Sequence, residues 1–408
     1  MTRLLKRIIA TTDFHSALGE AGPMLSCLCA ARSDTLIMDS GDFFEGTGYY
    51  RLGGGALELA TLLALYDVVA PGNHGWRHYF EPDLHRITVC ANAYEAGGRR
   101  LFRPVDFRRI GGRTTAVTGV LGFQAFNAIP YAQCVGQRVV DPAQALRELQ
   151  LAHEEVDSWI VLSHSGFEED LRLARTCPFI DVIFAGHCHG SQYGPVHVGN
   201  TTVLKGYELG AGYACAEPSD RGWAAQVSRF PDTGPSHLSD ELEPLRARIR
   251  AAGRQLSVAL GPVSAPYRHS ALDRRALLTD VVNRLRVEAQ APTDAVLLNE
   301  TALRTATLSG TLTRGDLLAV EPFDNHLVRA TVPEHFQDNP DSLAAHITAY
   351  AGPIVTAPVP LPPRPRTILT TGYLADVLAA PAETAGIPLA QAVRHALTDG
   401  TSLDPHRP

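Results

Sequence analysis

Five short segments of this 408-residue chain gather Asp, His and Asn, three of them directly beside glycine. They are Asp13-Phe14-His15, Gly41-Asp42, Gly72-Asn73-His74, a lone His164, and Gly186-His187-Cys188-His189. Carboxylate, imidazole and amide oxygen are all ligands for first-row divalent metals. A mixed nitrogen and oxygen donor set suits Mn, Zn or Fe, whereas Mg takes oxygen-rich shells. On an extended segment side chains alternate, so Asp13 and His15 are expected to share a side, as are His187 and His189. Cys188, between two candidate ligands, is expected to face away and pack. Glycine beside the clusters at 42, 73 and 187 lets the backbone approach a metal or a phosphate. One Asp-x-His pair says little, but five clusters in order, each after a strand signal, point to a metal centre.

The elements that must hold these loops are legible in the flanks. Residues 5–11, 35–38, 68–70 and 87–90 are short apolar, β-branched runs and read as strands. Residues 107–123 read as a hairpin turning at Gly111-Gly112. Residues 159–162 and 182–184 read as buried strands, and another hairpin turns at Gly199-Asn200. Helical spacing covers 17–32, 55–66, 141–156 and 168–175, with Asp141 as N-cap and Pro142 in the first turn. Strands alternating with helices, then hairpins, predict a layered α/β unit with a partly mixed sheet. Ligands in such sheets bind beyond the carboxyl ends of the strands. Residues 236–256 change to an Arg- and Glu-rich helical pattern, which reads as a connector. Beyond it, residues 273–289 read as a helix, 295–298 and 326–331 as strands, and 389–397 as an amphipathic helix. Residues 357–366 carry five prolines and read as an extended loop.

Composition narrows the function classes. Hydrophobic residues make up 45% and charged residues 19%, which excludes a wholly disordered chain. Net charge is −7 without a basic run, which argues against nucleic acid as partner. No run reaches the about 18 apolar residues of a membrane helix, which argues against a membrane partner. The opening Met-Thr-Arg-Leu-Leu-Lys-Arg enters the first strand with no separate apolar leader core. Seven cysteines without paired spacing lead to the expectation of a reducing, cytoplasmic location.

The order D-x-H, G-D, G-N-H, His, G-H-x-H resembles the calcineurin-like dinuclear metallophosphoesterases, and within them the 5′-nucleotidase family. Ala91-Asn92 is similar to the family's A-N motif, and Gly119 to Gly122 to its G-x-x-G. In the second half, Asn299 to Arg304 resembles N-x-G-G-x-R, and Gly315-Asp316 followed by Pro322-Phe323-Asp324-Asn325 resembles G-D-x-x-x-x-x-P-F-x-N. The resemblance implies a four-layer αββα sandwich over residues 1–232 and a linker helix over 233–258. It also implies a smaller α+β substrate-binding domain over 259–378, and a tail over 379–408. It implies two divalent ions, one held by Asp13, His15, Asp42 and His189, the other by Asp42, Asn73, His164 and His187. Asp42 would bridge them, and a hydroxide between the ions would attack phosphorus. His74 would contact the phosphoryl oxygens. Arg304, Phe323, Asn325 and Tyr373 would contact a nucleotide-like substrate.

Two departures stand out. Gly75 replaces the acid that usually follows G-N-H, and Arg77 stands where an orienting Asp is usual, either as a phosphate clamp or as a solvated surface residue. The G-G-D expected after Thr371-Gly372-Tyr373 is replaced by residues 377–381. The leading expectation is therefore a phosphomonoesterase for a nucleotide or nucleotide-like metabolite. A phosphodiesterase, a nucleotide-sugar pyrophosphatase, or a non-catalytic binding protein on the same fold are the alternatives.

Overall fold

The computed structural model describes residues 3–231, 240–268, 271–288 and 293–398. The connector's first part, residues 233–239, and the tail's residues 399–408 lie outside them. Two compact units divide between Gly253 and Arg254.

In the first unit, sequence alternation builds two sheets whose central strands are buried on both faces. One sheet orders its strands Gly222–Arg229, Gly212–Ser219, Arg7–Thr11, Thr35–Asp39, Val68–Val69. The other runs Val196–Val198, Thr201–Leu204, Val182–Ala185, Ser158–His164, Arg113–Leu121, Val105–Ile110. Ile8, Ala10, Leu36 and Met38 pack against Val117, Ile160, Leu162 and Phe184 between the sheets. The alternate residues Ile9, Ile37 and Val69 meet Leu25, Leu28, Leu57 and Leu62 of the helices Gly22–Ala31 and Ala56–Leu65. On the far side Trp159, Val161 and Ile183 meet Leu146, Leu149, Leu171 and Ala174 of the helices Pro142–Ala152 and Phe167–Thr176. The period of two thus feeds both faces of each sheet and gives helix, sheet, sheet, helix. Asp141 caps its helix by accepting from Gln144 N at 2.8 Å, as the sequence led us to expect.

Two expectations are corrected. Residues 87–90 form isolated bridges, Thr88 to Val69 and Val89 to Arg103, with no strand. Residues 17–32 form a 3₁₀ turn, Leu18–Glu20, followed by the helix Gly22–Ala31. Pro23 explains the break, because proline lacks an N–H and is tolerated only in a first turn.

The second unit holds a five-stranded mixed sheet ordered Ile354–Ala357, Ala295–Asn299, Thr367–Thr371, His326–Thr331, Ala382–Pro388. The helices Arg274–Glu288 and Leu389–Leu397 cover one face through Leu278, Val282, Leu285, Val393 and Leu397. The helix Pro340–Ala351 covers the other through Leu343 and Ile347. Asp316 of the G-D pair serves this packing. Its carboxylate accepts from Thr313 N at 2.8 Å, and Asp316 N donates to Thr313 Oγ1 at 3.1 Å, a reciprocal cap on the helix Arg314–Val320.

Candidate metal centre

The parallel ladder of the first sheet delivers the first ligand loops side by side. Thr11 pairs with Asp39 at the strand ends. The ladder then continues into the loops, with Asp13 N donating to Gly41 O, His15 N to Asp42 O and Ser16 N to Phe43 O, each at 3.0 Å. Asn73 and His74 follow Val68–Val69, His164 ends its strand, and His187 and His189 follow Val182–Ala185. All stand beyond the carboxyl ends of strands in the first unit, where such sheets place their chemistry.

The expectation that Asp13 and His15 share a side through strand alternation is corrected. Asp13, His15, Asp42, Glu45 and His187 all have positive φ, between 48° and 74°. Non-glycine residues in this region cost about 1–3 kcal/mol each and persist where surrounding contacts over-determine them. Five such residues in the loops around one cluster mark a site built at the expense of local stability. Gly72 has a matching role, because a Cβ there would lie 2.1 Å from Asp42 Oδ1.

The donor atoms converge. Asp13, His15 and His189 form one group with ligand atoms within 4.8 Å of one another, and Asp42, His164 and His187 form another. His15, Asp42 and His74 form a third, overlapping group. Asp42 Oδ2 lies 3.2 Å from His164 Nε2 and 3.9 Å from His15 Nε2. His189 Nε2 is 3.1 Å from His15 Nε2 and 3.6 Å from Asp13 Oδ1. Asn73 Oδ1 sits 3.1 Å from His187 Nδ1. His164 Nδ1 donates to Ser40 O at 2.8 Å and His15 Nδ1 to Glu45 O at 3.2 Å. A carbonyl on one ring nitrogen turns the other toward the centre, as is usual for an imidazole that ligates a metal.

Electrostatics shows what such a cluster lacks by itself. Burial pushes the Asp13 carboxyl up, against the pull of His164. Burial would also raise Asp42, but His164, His74 and His15 outweigh it and hold the carboxyl well below the usual range. Burial opposes charge on His164, yet Asp42 beside it drives the imidazole up to about 9. His187 is pushed down to about 4 by burial and by His164. His164 Nε2 is buried and faces Asp42 Oδ2 without a well-aligned hydrogen bond, and two imidazole Nε2 atoms face each other at His15 and His189. Cations satisfy both features, so the residues present fit divalent metal ions.

The structure thus brings Asp13, His15, Asp42, Asn73, His74, His164, His187 and His189 together. Arg77 is exposed, and its guanidinium donates to Ala132 O at 3.3 Å. Cys188 packs as expected, its Sγ accepting from Phe167 N at 3.2 Å. The other four candidate substrate residues belong to the second unit and cluster at one end of its sheet. Leu327 pairs with Thr371, so Phe323 and Asn325, just before one strand, stand near Tyr373, just after the other. Ala295–Asn299 runs parallel to Thr367–Thr371, which brings Asn299 and the segment toward Arg304 to the same end. The Arg304 guanidinium lies 5.5 Å from the Phe323 ring centroid. Asn325 Nδ2 donates to Glu321 Oε1 at 3.0 Å. Phe323 is 45% and Tyr373 50% exposed.

Sequence reasoning missed two residues. Glu45 bonds His74, and its only sequence signal was the acid missing after His74. Lys205 is one of two lysines in the chain. Its side chain is fully buried, and Nζ donates to Cys188 O at 2.6 Å and Gly190 O at 2.9 Å, the carbonyls flanking His189. It also pairs with Glu208 and lies 4.9 Å from the Tyr193 ring centroid. Lys205→Met is expected to cost about 3–5 kcal/mol, because it leaves Glu208 and two carbonyls uncompensated. Thermal melting should show that loss, and metal titration should show weakened binding at the His189 group.

No family model matches the chain. Among curated proteins, the trifunctional nucleotide phosphoesterase YfkN of Bacillus subtilis is 24% identical over 227 residues, 45% of this chain and 16% of that protein. The 5′-nucleotidase of Rattus norvegicus is 29% identical over 178 residues, 39% of this chain and 30% of that protein. The human 5′-nucleotidase is 28% identical over 223 residues, 46% of this chain and 38% of that protein. The match therefore spans well under half the length of these relatives. Among solved structures, a 5′-nucleotidase precursor from Thermus thermophilus aligns with TM-score 0.70 at 18% identity, covering 97% of this chain and 96% of that one. The 5′-nucleotidase of Candida albicans aligns with TM-score 0.70 at 15% identity, covering 98% of each chain. The sulfate thiohydrolase SoxB of Thermus thermophilus aligns with TM-score 0.67 at 16% identity, covering 97% and 95%. The fold is thus shared among proteins named for different substrates.

Proposed function

We propose that the chain is a member of the 5′-nucleotidase family of calcineurin-like metallophosphoesterases, whose sequences and fold it resembles, and that it hydrolyses the phosphomonoester of a nucleotide or nucleotide-like metabolite. The observation that carries the reading is the pair of donor groups that Asp42 links. One ion would take Asp13, His15, Asp42 and His189, the other Asp42, Asn73, His164 and His187. Divalent ions of the Mn, Zn or Fe kind would there supply Lewis acidity, withdrawing charge from a phosphoryl group and lowering the pKa of water.

The chain's own groups do the rest. Asp42 Oδ1 accepts from His74 N at 2.8 Å, so the shared carboxylate also fixes the backbone that presents His74. With Nδ1 donating to Glu45, Nε2 is the atom through which the ring acts on the phosphoryl oxygens, where a preorganised group stabilises developing charge. The Asn73 amide oxygen, 3.1 Å from His187 Nδ1, would serve as a ligand, and its place next to His74 would couple metal and substrate geometry. Seven free cysteines fit a reducing compartment, which favours a cytoplasmic metabolite as substrate. No helix among the described residues is long and apolar enough to cross a membrane.

In the second unit, Phe323 and Tyr373 offer aromatic faces, while Arg304 and Asn325 offer donors for base or ribose. Phe323→Ala is expected to raise KM for the natural substrate by the equivalent of about 1–3 kcal/mol, the value of a stacked base. KM for p-nitrophenyl phosphate should barely move. Equal effects on both substrates would show that Phe323 only packs. A library of phosphorylated metabolites, assayed with added Mn²⁺ and with chelator, tests the function directly. Release of phosphate from nucleotides, abolished by chelator, is expected. Release from no compound would overturn the reading.

A further inference from the structure

We propose that Glu45 is the positioning residue for His74, supplying from a different loop the carboxylate that the segment after His74 lacks. The proposal rests on the phosphoesterase reading above for what His74 does, but its geometry stands independently. The position after His74 cannot carry an acid. Gly75 has φ +67°, and a Cβ there would lie 2.4 Å from Phe44 Cβ. Arg77 further on carries the opposite charge and turns to Ala132 O. The loop between Asp42 and Thr47 fills the gap instead.

Glu45 makes three bonds from one residue. Its Oε2 accepts from His74 Nδ1 at 3.0 Å, and its Oε1 accepts from Gly75 N at 3.0 Å. Its own carbonyl accepts from His15 Nδ1 at 3.2 Å. One carboxylate thus holds both the imidazole and the backbone that follows it, which fixes the ring plane as well as its place. The carbonyl fixes a candidate metal ligand at the same time. The His15 and His74 rings stand edge to face with centroids 5.0 Å apart, so the two orientations are mechanically tied. Glu45 adopts φ +61°, a left-handed conformation that costs about 1–3 kcal/mol outside glycine. Gly46 follows with φ +125°, and a Cβ there would lie 2.9 Å from His15 Cβ. The turn is therefore shaped to bring this carboxylate to His74 while passing close to His15.

Glu45→Gln keeps the volume and an acceptor for Gly75 N but loses the anionic acceptor for His74. Loss of such an orienting partner lowers activity about 10- to 100-fold. We expect that fall in kcat for p-nitrophenyl phosphate, with KM and metal content near wild type. In a His74→Ala background the same change should have no further effect, because a residue that acts through His74 has nothing left to position. Equal losses in both backgrounds, or none in either, would overturn the proposal. Ring ¹⁵N spectra, assigned with His74→Ala, decide the geometry whether or not a substrate is turned over. Wild type should show His74 protonated at Nδ1 and bonded, and Glu45→Gln should lose that signature. An unchanged spectrum would overturn the proposal. If Glu45→Gln does not fold, Glu45→Asp carries the same comparison, since the shorter carboxylate withdraws from Nδ1. An inactive wild type with the expected spectrum would remove the phosphoesterase reading and leave the positioning contact standing.

Discussion

Asp42→Ala is expected to strip both ions from the chain and to reduce phosphatase activity to background. Enzymes typically work at least about 10⁶-fold above the uncatalysed rate, so a fall of about 10⁴-fold or more is anticipated. The expectation follows from the position of one carboxylate. Asp42 Oδ2 faces His164 Nε2 at 3.2 Å and His15 Nε2 at 3.9 Å, reaching toward both donor groups. Oδ1 holds the backbone of His74. Removing Asp42 also leaves His164 buried without its counter-charge, and that charge is the main reason the imidazole is raised to about 9. Below that value, with no metal bound, the wild-type pair is an imidazolium against a carboxylate; the variant has only a buried imidazole. Asp42→Asn is the useful control, because it keeps an acceptor for His74 N while removing charge. Elemental analysis of purified variants reads the metal, and p-nitrophenyl phosphate turnover reads the chemistry. Retention of one ion at full occupancy would show that the carboxylate is not shared.

His74→Ala is expected to lower kcat by on the order of 10²–10³, the scale for one preorganised group aimed at developing charge. Metal content should stay near wild type. His74 is adjacent to the donor groups and lies within ligand distance of His15 and Asp42, so the result discriminates between two roles. Its Nδ1 is engaged by Glu45, and its backbone N–H to Asp42 survives the substitution. A variant that loses metal along with activity would make His74 a ligand.

Much of this site was legible before any coordinates. The reason is that its ligands follow parallel strands, and each strand announces itself by an apolar run ended by a polar residue, with glycine directly before the ligand at Asp42, Asn73 and His187. Asp13, Asp42, Asn73, His164 and His187 all sit at such junctions. Asp141-Pro142 likewise fixed a helix start, because the side chain that caps it is local. What escaped was whatever depends on a contact across the chain or on an unusual φ. The Asp13 and His15 pairing does not come from strand alternation, since both residues are left-handed. That conformation is imposed by the neighbouring loop 41–43, which no periodicity reveals. Glu45 lies 29 residues before its partner, in a loop whose composition marks only a turn. Lys205 belongs to no motif, yet its burial under the His189 loop makes it a tether. Gly75 read as a departure from the family pattern, and the space it leaves for Phe44 shows why a different carboxylate does the orienting. The run 87–90 has strand composition but joins its neighbours through single bridges, because a propensity cannot say whether a partner edge lies alongside.

The most direct test is to measure metal content and phosphatase activity on the same preparation, before chelation, after it, and after adding back Mn²⁺ or Zn²⁺. The account predicts about two ions per chain, a two-metal clamp of the kind used for in-line phosphoryl displacement. Activity should disappear with the ions and return with them. A metal-free chain that hydrolyses p-nitrophenyl phosphate at the full rate would contradict it.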